Sequence, residues 1–195
     1  MRVWRIPYST NVERVAIAAG VAGVPIEWID VSAYDRSPVK EVSGQGRVPV
    51  ADFDGEIVVG SLAIIGRIAP GLWPSEPRPR AQVDVFLDWF ERVWMHPLGV
   101  LFTPGVDEER RERAGARLER SLDRFEALLD GSAFLFGELT VADVAAYPFL
   151  KYATDDENPD DDYEIHHLMR RYQSLDGRPA SPRGSIACRH SRRRN

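Results

Sequence analysis

Apolar and polar residues follow two different rhythms in the first stretch of the chain. Residues 2–6 form a short candidate strand, and residues 26–31 alternate apolar and polar side chains as a strand does, whereas residues 12–21 repeat apolar side chains at steps of three and four. Because a short helix joins them, the two strands are predicted to pair in parallel through a right-handed crossover. Residues 33–46 contain proline and glycine and are predicted to be irregular apart from one helical turn.

A β-hairpin is predicted next, centred on Asp54-Gly55. Apolar runs flank this dipeptide, and Asp-Gly favours a type I′ turn, whose two central residues both need positive φ. Pro49 opens the first strand, where its missing N–H costs least. Ser61 follows the second strand and is predicted to cap a helix that ends at residue 69. The predicted order is therefore βαβ followed by ββα.

The hydrophobic pattern changes after residue 69, and no further strand is predicted. Residues 70–79 contain four prolines, which is typical of a linker. Pro97 is predicted to end or kink the helix that precedes it. Apolar residues then recur at helical spacing in four segments: residues 81–95, 107–130, 140–150 and 163–175.

The third helical segment begins with a capping box. Thr140 is placed to accept a hydrogen bond from the third N–H of the helix, and Asp143 is placed to reach back to the N-cap. The residues that follow are apolar on nearly all sides. This pattern predicts a central, buried helix.

Composition narrows the classes of protein that need to be considered. Of the 195 residues, 44% are hydrophobic and 28% are charged, as in ordinary globular proteins. We expect no membrane span, because no apolar run approaches roughly 18 residues, and no secretory signal. Cys188 is the one cysteine, which excludes an internal disulfide and fits a reducing cytoplasm. The four histidines have no partners at metal-ligand spacing, so no metal site is predicted.

The net charge of −5 conceals an asymmetry. Six arginines and no acid follow Gly177, which leaves 19 basic and 30 acidic residues in positions 1–177, a balance of −11. An acidic body argues against nucleic-acid binding as the main function. Residues 155–162 are predicted to form an acidic, solvated loop. Residues 176–195 are predicted to be a basic tail, either disordered or aberrant.

Several of these features, in this order, resemble the glutathione S-transferases of the serine-type, bacterial-like group. They are the Val48-Pro49 pair, the Asp-Gly hairpin, the serine that follows it and the capping box of the buried helix.

The resemblance covers residues 2–175 and implies a domain organisation. An α/β thioredoxin-like domain would occupy residues 1–69, the linker residues 70–79, and an all-helical bundle domain residues 80–175, with the basic tail after it. The resemblance also implies a cytoplasmic homodimer that conjugates glutathione, as co-substrate and without a metal, to a small hydrophobic electrophile.

The resemblance assigns roles to residues of the hairpin. It implies a cis Val48–Pro49 peptide bond, with the Val48 backbone paired to the peptide backbone of glutathione. Ser61 would hold the γ-glutamyl carboxylate, an anion that suits the start of a helix. Arg47 is a candidate partner for the glycine carboxylate, or else a solvated loop arginine. Relatives have an acidic residue before the serine, but this chain has Gly60 there, which leaves another thiol, or no thiol, as alternatives.

Glutathione chemistry requires a thiolate, and a hydroxyl at the start of the first helix would stabilise it by a hydrogen bond. The loop before that helix offers four candidates: Tyr8, Ser9, Thr10 and Asn11. In serine-type relatives the hydroxyl shortly precedes an Arg-Val pair, which is Arg14-Val15 here, so Ser9 matches best as the catalytic residue. Tyr8 and Asn11 are the alternatives. The residues by themselves also allow Ser9, Thr10 or Asn11 to be simply the helix N-cap.

Two other functions remain open at this stage. Gly60 and the unusual tail favour a non-catalytic binding or assembly module with the same fold. A thiol-dependent isomerase or dehalogenase is the third possibility.

Overall fold

The N-terminal part of the chain, Met1–Trp73, is one of two compact units and is built around a four-stranded sheet. The computed structural model describes residues 1–129, 131–153 and 163–173. The acidic loop at 155–162 and the tail at 176–195, with Cys188, lie outside the described residues. The strands and α-helices of this unit are β1 (Arg2–Arg5), α1 (Thr10–Ala22), β2 (Glu27–Asp30), α2 (Ser37–Ser43), β3 (Val50–Phe53), β4 (Glu56–Val59) and α3 (Ser61–Ile68), and a 3-10 helix (Pro70–Leu72) follows them.

The sheet has the strand order β2-β1-β3-β4, with β1 and β2 parallel and the other pairs antiparallel. The predicted thioredoxin-like βαβ-ββα order is therefore confirmed. The hairpin turn is confirmed as well, because Asp54 and Gly55 have φ values of 54° and 101°, the positive values that a type I′ turn needs.

The two faces of this sheet are covered by different helices. Trp4 and Val50 lie opposite each other and are buried in a cluster that includes Val39 of α2. Successive side chains of a strand point to opposite faces, so the next pair, Val3 and Ala51, faces the other side. Both of these residues are fully buried. Helices α1 and α3 pack against each other, and α3 contacts β3. This pair of helices therefore lies beside the sheet.

Helix α2 is longer than the single turn that the sequence predicts. It spans Ser37–Ser43 and ends at Gly44, which has a φ of 72°. Proline is well accommodated in the first turn of a helix and glycine directly after the last. Proline and glycine therefore mark the ends of a helix here, and the prediction of largely irregular structure is wrong for these residues.

The second unit, Pro74–Asn195, contains no strand among its described residues. Its elements are α4 (Pro77–Trp89), a π-helical segment (Phe90–Trp94), α5 (Met95–Leu101), α6 (Glu108–Leu129), α7 (Val141–Leu150), a 3-10 helix (Lys151–Ala153) and α8 (Glu164–Tyr172). None of the described helices has the length and apolar character needed to cross a membrane.

One prediction about the first helices of this unit was wrong, and another holds only in part. Helix α4 begins at Pro77, four residues before the predicted start, because proline fits the first helical turn. Of the two outcomes predicted at Pro97, an end of the helix is excluded, since α5 continues to Leu101, whereas a kink stays a prediction. The π-helical segment Phe90–Trp94 lies directly before α5, which places Pro97 in the first turn of α5.

The core of the second unit is aromatic. Phe90 stacks on Trp94 with ring centroids 4.6 Å apart, and Phe125 meets Trp94 edge-on at 5.8 Å. Phe149 of α7 contacts both rings of the stacked pair. Eight of the ten residues of α7 are buried, which confirms the prediction of a central helix.

Candidate active site

The sheet topology brings three separate segments to one edge. Trp4 of β1 lies opposite Val50 of β3, and Val50 lies opposite Val59 of β4. Because β3 is antiparallel to both neighbours, its start lies beside the ends of β1 and β4. The segments that leave this edge contain the predicted site residues Ser9, Val48, Pro49, Gly60 and Ser61.

The loop before β3 presents a peptide backbone at this edge. The Val48–Pro49 bond is cis, as the resemblance implies, and the Pro49 carbonyl accepts a hydrogen bond of 3.2 Å from the Gly60 N–H. Val48 is half-buried. Within the described part of the chain, neither the N–H nor the carbonyl of Val48 has a hydrogen-bond partner. A bound peptide could pair with both groups.

Helix α3 begins differently from the prediction. Its N-cap is Gly60, with φ 94° and ψ 141°, and Ser61 is the first helical residue. The prediction that Ser61 caps the helix is therefore wrong. The turn out of β4 requires a positive φ, which glycine adopts at little cost. No atom would lie within 4 Å of a Cβ at Gly60, so backbone conformation rather than space favours glycine there.

Ser61 contacts a buried arginine, Arg14, which entered the sequence prediction only as part of the Arg-Val pair that follows the candidate hydroxyl. Arg14 of α1 is 1% exposed. Its Nη1 donates to the Asn11 Oδ1 at 3.0 Å and to the Ser61 Oγ at 3.3 Å. Arg14 lies four residues after Thr10 and four before Ala18, so it shares the buried face of α1 with them. Helical spacing thus offers a signal for its place on that face, but no local signal for its contact with Ser61.

The start of α1 holds the candidates for the thiol. Ser9 is the N-cap, but its side chain makes no capping hydrogen bond, and it is half-buried. The simple N-cap interpretation is therefore right about position but does not account for the hydroxyl. Thr10 is buried as the first helical residue. Tyr8 is 65% exposed and has a φ of 66°, a conformation that is uncommon for a residue other than glycine.

Arg47 lies on the loop that leads to the cis bond. The side chain of Gln45 accepts a hydrogen bond from the Arg47 N–H at 2.6 Å and donates to its carbonyl at 2.9 Å. These bonds hold the backbone of Arg47, while its side chain is exposed. The guanidinium is thus available for a carboxylate, but within the described residues it forms no hydrogen bond with Ser61 or Asn11.

These features fit most of a glutathione molecule. The Val48 backbone suits a peptide bond, and the start of α3 with the Ser61 hydroxyl suits a carboxylate. Gly60 supplies no carboxylate for an amino group. The described residues contain no group of three or more histidine, cysteine, aspartate or glutamate side chains that could hold a metal ion.

Comparisons with known proteins agree with this geometry. Residues 4–69 match the family model of the glutathione S-transferase N-terminal domain, and residues 108–175 match that of the C-terminal domain. Maleylacetoacetate isomerase of Rhizobium meliloti (strain 1021) is 33% identical over 74% of this chain and 76% of that protein.

Solved structures of low sequence identity share the fold. BphK, a bacterial GST solved as a ternary complex, has a TM-score of 0.68 at 21% identity, with 95% of this chain and 98% of that chain covered. A glutathione transferase family member from Pseudomonas fluorescens pf-5, solved with two glutathione bound, has a TM-score of 0.65 at 20% identity, with 77% and 75% covered. Together, the two family models and the 33% identical isomerase show that the chain belongs to the glutathione S-transferase superfamily.

Proposed function

We propose that this protein is a glutathione-dependent enzyme that adds the thiolate of glutathione to small electrophiles. The observation that carries the proposal is the pairing of two ligand-ready elements at one edge of the sheet. One is the Val48 backbone beside a cis proline, and the other is the start of α3, where no side chain caps the helix. A peptide that ends in a carboxylate matches both.

Each residue of the site has a proposed role. The Val48 N–H and carbonyl pair with the peptide of glutathione, and the Ser61 hydroxyl donates a hydrogen bond to the γ-glutamyl carboxylate. Arg47 binds the glycine carboxylate. Ser9 donates a hydrogen bond to the sulfur, which together with the start of α1 favours the thiolate over the thiol. When bound, glutathione supplies the nucleophilic sulfur, which forms a bond to the electrophilic carbon. In a substitution that carbon loses its leaving group, and in an addition the π electrons of its double bond move onto the neighbouring atom.

A second candidate function is the isomerisation of an unsaturated acid. The maleylacetoacetate isomerase from Rhizobium meliloti, 33% identical to this chain, supports it. Both functions require the same thiolate and the same site. They differ in the fate of glutathione, because conjugation consumes it and isomerisation returns it unchanged.

Calorimetric titration of the purified protein with glutathione tests the proposal. We expect Ser61→Ala to weaken binding by about tenfold, since a hydrogen bond to a charged group contributes about 1.5 kcal/mol or more. Ser75→Ala is the matched control, because Ser75 is an exposed serine, and its dissociation constant should equal that of the wild type. An absence of binding at millimolar glutathione would exclude glutathione as the co-substrate.

A product assay separates the two functions. The protein is incubated with glutathione and either 1-chloro-2,4-dinitrobenzene or maleylacetoacetate, and free thiol and product are both measured. Loss of thiol in step with product indicates conjugation, whereas product without loss of thiol indicates isomerisation. Binding of glutathione with neither reaction would favour a non-catalytic module.

A further inference from the structure

The buried arginine of α1 connects two side chains of the proposed site. Arg14 lies on α1, and its Nη1 contacts Asn11 on the same helix and Ser61 on α3. A guanidinium remains charged at every ordinary pH, and a buried charge is costly unless it is hydrogen-bonded. Both of these acceptors are neutral side chains at the ligand-binding edge of the sheet.

The direction of these hydrogen bonds follows from the chemistry of the groups. Arginine only donates, so the Ser61 oxygen must accept from Arg14 and its single proton must point elsewhere. In the described part of the chain, the acceptor within reach is the Asn11 Oδ1 at 3.5 Å, at the long limit for a hydrogen bond. A carboxylate bound at the start of α3 would be a stronger acceptor for that proton.

The same reasoning orients the amide of Asn11. Its Oδ1 accepts from Arg14 at 3.0 Å, so the amide nitrogen, with its two N–H donors, occupies the other branch of the side chain. Asn11 lies in the first turn of α1. Arg14 thus determines which atoms of Asn11 and Ser61 donate hydrogen bonds.

We propose that Arg14 is a positioning residue that sets the hydrogen-bond polarity of the site. It keeps the Ser61 hydroxyl proton available to the bound carboxylate and turns the donor end of Asn11 away from itself. This proposal rests on the proposed function in one respect, namely that the carboxylate belongs to glutathione.

The first test compares two ligands by calorimetry. Arg14→Met removes the donors and keeps an unbranched chain, and cysteinylglycine lacks the γ-glutamyl carboxylate of glutathione. We expect the variant to bind glutathione about tenfold more weakly and cysteinylglycine within about twofold of the wild type. In a Ser61→Ala background, Arg14→Met should change the glutathione dissociation constant by no more than about twofold.

Two further variants complete this test. Arg14→Lys keeps a buried cation with donors and should recover part of the loss, and it replaces Arg14→Met if that variant fails to fold. Arg67→Met is the matched control, because Arg67 is an exposed arginine on α3 that pairs with Glu56, and it should bind both ligands as the wild type does. Equal weakening for both ligands, or effects of Arg14→Met and Ser61→Ala that multiply, would overturn the proposal.

A second test does not depend on glutathione. Ser61→Cys places a thiol beside Arg14, with Cys188→Ser removing the natural thiol, and the ultraviolet absorbance of the thiolate is followed against pH. A cation within hydrogen-bond distance favours the thiolate, so adding Arg14→Met should move the titration midpoint upward by about one pH unit or more. An unchanged midpoint would overturn the role of Arg14. If the midpoint is lower with Arg14 than with Arg14→Met, but the wild-type protein fails to bind glutathione, only the proposed function is contradicted.

Discussion

Helices α3 and α7 begin in opposite ways. At the start of α7, Thr140 accepts a hydrogen bond from the Ala142 N–H at 3.2 Å, and Asp143 accepts from the Thr140 N–H at 2.9 Å. Asp143 also accepts from the Leu135 N–H at 2.8 Å. At the start of α3, Gly60 has no side chain to offer and no capping bond forms. Helix α7 satisfies the backbone N–H groups at its start with its own side chains, whereas α3 leaves such N–H groups for a ligand.

The charges at the two helix starts differ as well. The start of α7 holds a carboxylate, and burial raises the pKa of Asp143 despite the hydrogen bonds from Leu135 and Thr140 that lower it. The start of α3 holds the guanidinium of Arg14, which contacts Ser61. A structural helix start can thus supply its own anion, while a binding site for an anion requires a start without one.

The largest effect is expected from Asp143→Ala. The change removes the acceptor of two backbone N–H groups, those of Leu135 and Thr140, and opens the capping box. We expect the free energy of unfolding to fall by about 2–3 kcal/mol, measured by urea denaturation. Asp84→Ala, which removes an exposed aspartate paired with Arg80, should cost no more than about 0.5 kcal/mol. Similar costs for the two variants would contradict a structural role for the capping box.

An intermediate effect is expected at Gly60, where two substitutions separate conformation from charge. Gly60→Ala and Gly60→Glu should each lower the free energy of unfolding by about 1–2 kcal/mol, because the φ of 94° is unfavourable for L side chains. Gly71 has no positive φ and open space around it, so Gly71→Ala should stay within about 0.5 kcal/mol of the wild type.

The same two variants also test the missing acid. If the amino group of glutathione lies near position 60, Gly60→Glu should bind glutathione a few-fold more tightly than Gly60→Ala in calorimetry. Equal dissociation constants would show that the absent acid does not limit binding.

The smallest effect concerns pH. The pKa of Asp143 is raised in the folded protein, so the native state binds its proton more tightly than the unfolded chain does. The stability linked to this group is present below its ordinary pKa of 3.8 and is lost as the pH rises through its raised value. Relative to Asp143→Asn, which does not titrate, the wild type should lose stability from about pH 4 upward. A difference that is constant with pH would contradict the burial of this carboxylate.

The sequence predicted the elements of the first unit well and the ends of several helices less well. The hairpin followed from Asp54-Gly55 and the capping box from Thr140 and Asp143, because each signal involves residues close together in the chain. The start of α4 at Pro77 and the continuation of α5 beyond Pro97 were not predicted. Both prolines lie in the first turn of their helix, where the missing N–H and the ring are tolerated.

The residues of the candidate site likewise fall into those that local motifs identified and one that they did not. Ser9, Val48, Pro49 and Ser61 were identified from the motifs, and the strand register explains how their segments reach one edge of the sheet. Arg14 was not identified as a site residue. A hydrophilic residue in a helix does not reveal from its neighbours alone which side chain it meets after folding.

By itself, the sequence determined the alternation of elements, the turn at Asp54-Gly55 and the capping box of α7. These depend on backbone preferences and hydrogen bonds between residues a few positions apart. Only the tertiary structure decided that Gly60, rather than Ser61, caps α3 and that Arg14 donates to Ser61 across 47 positions of the chain. The physical reason is that the direction of a chain leaving a strand, and the partners of a buried charge, are set by the packing of α1 against α3.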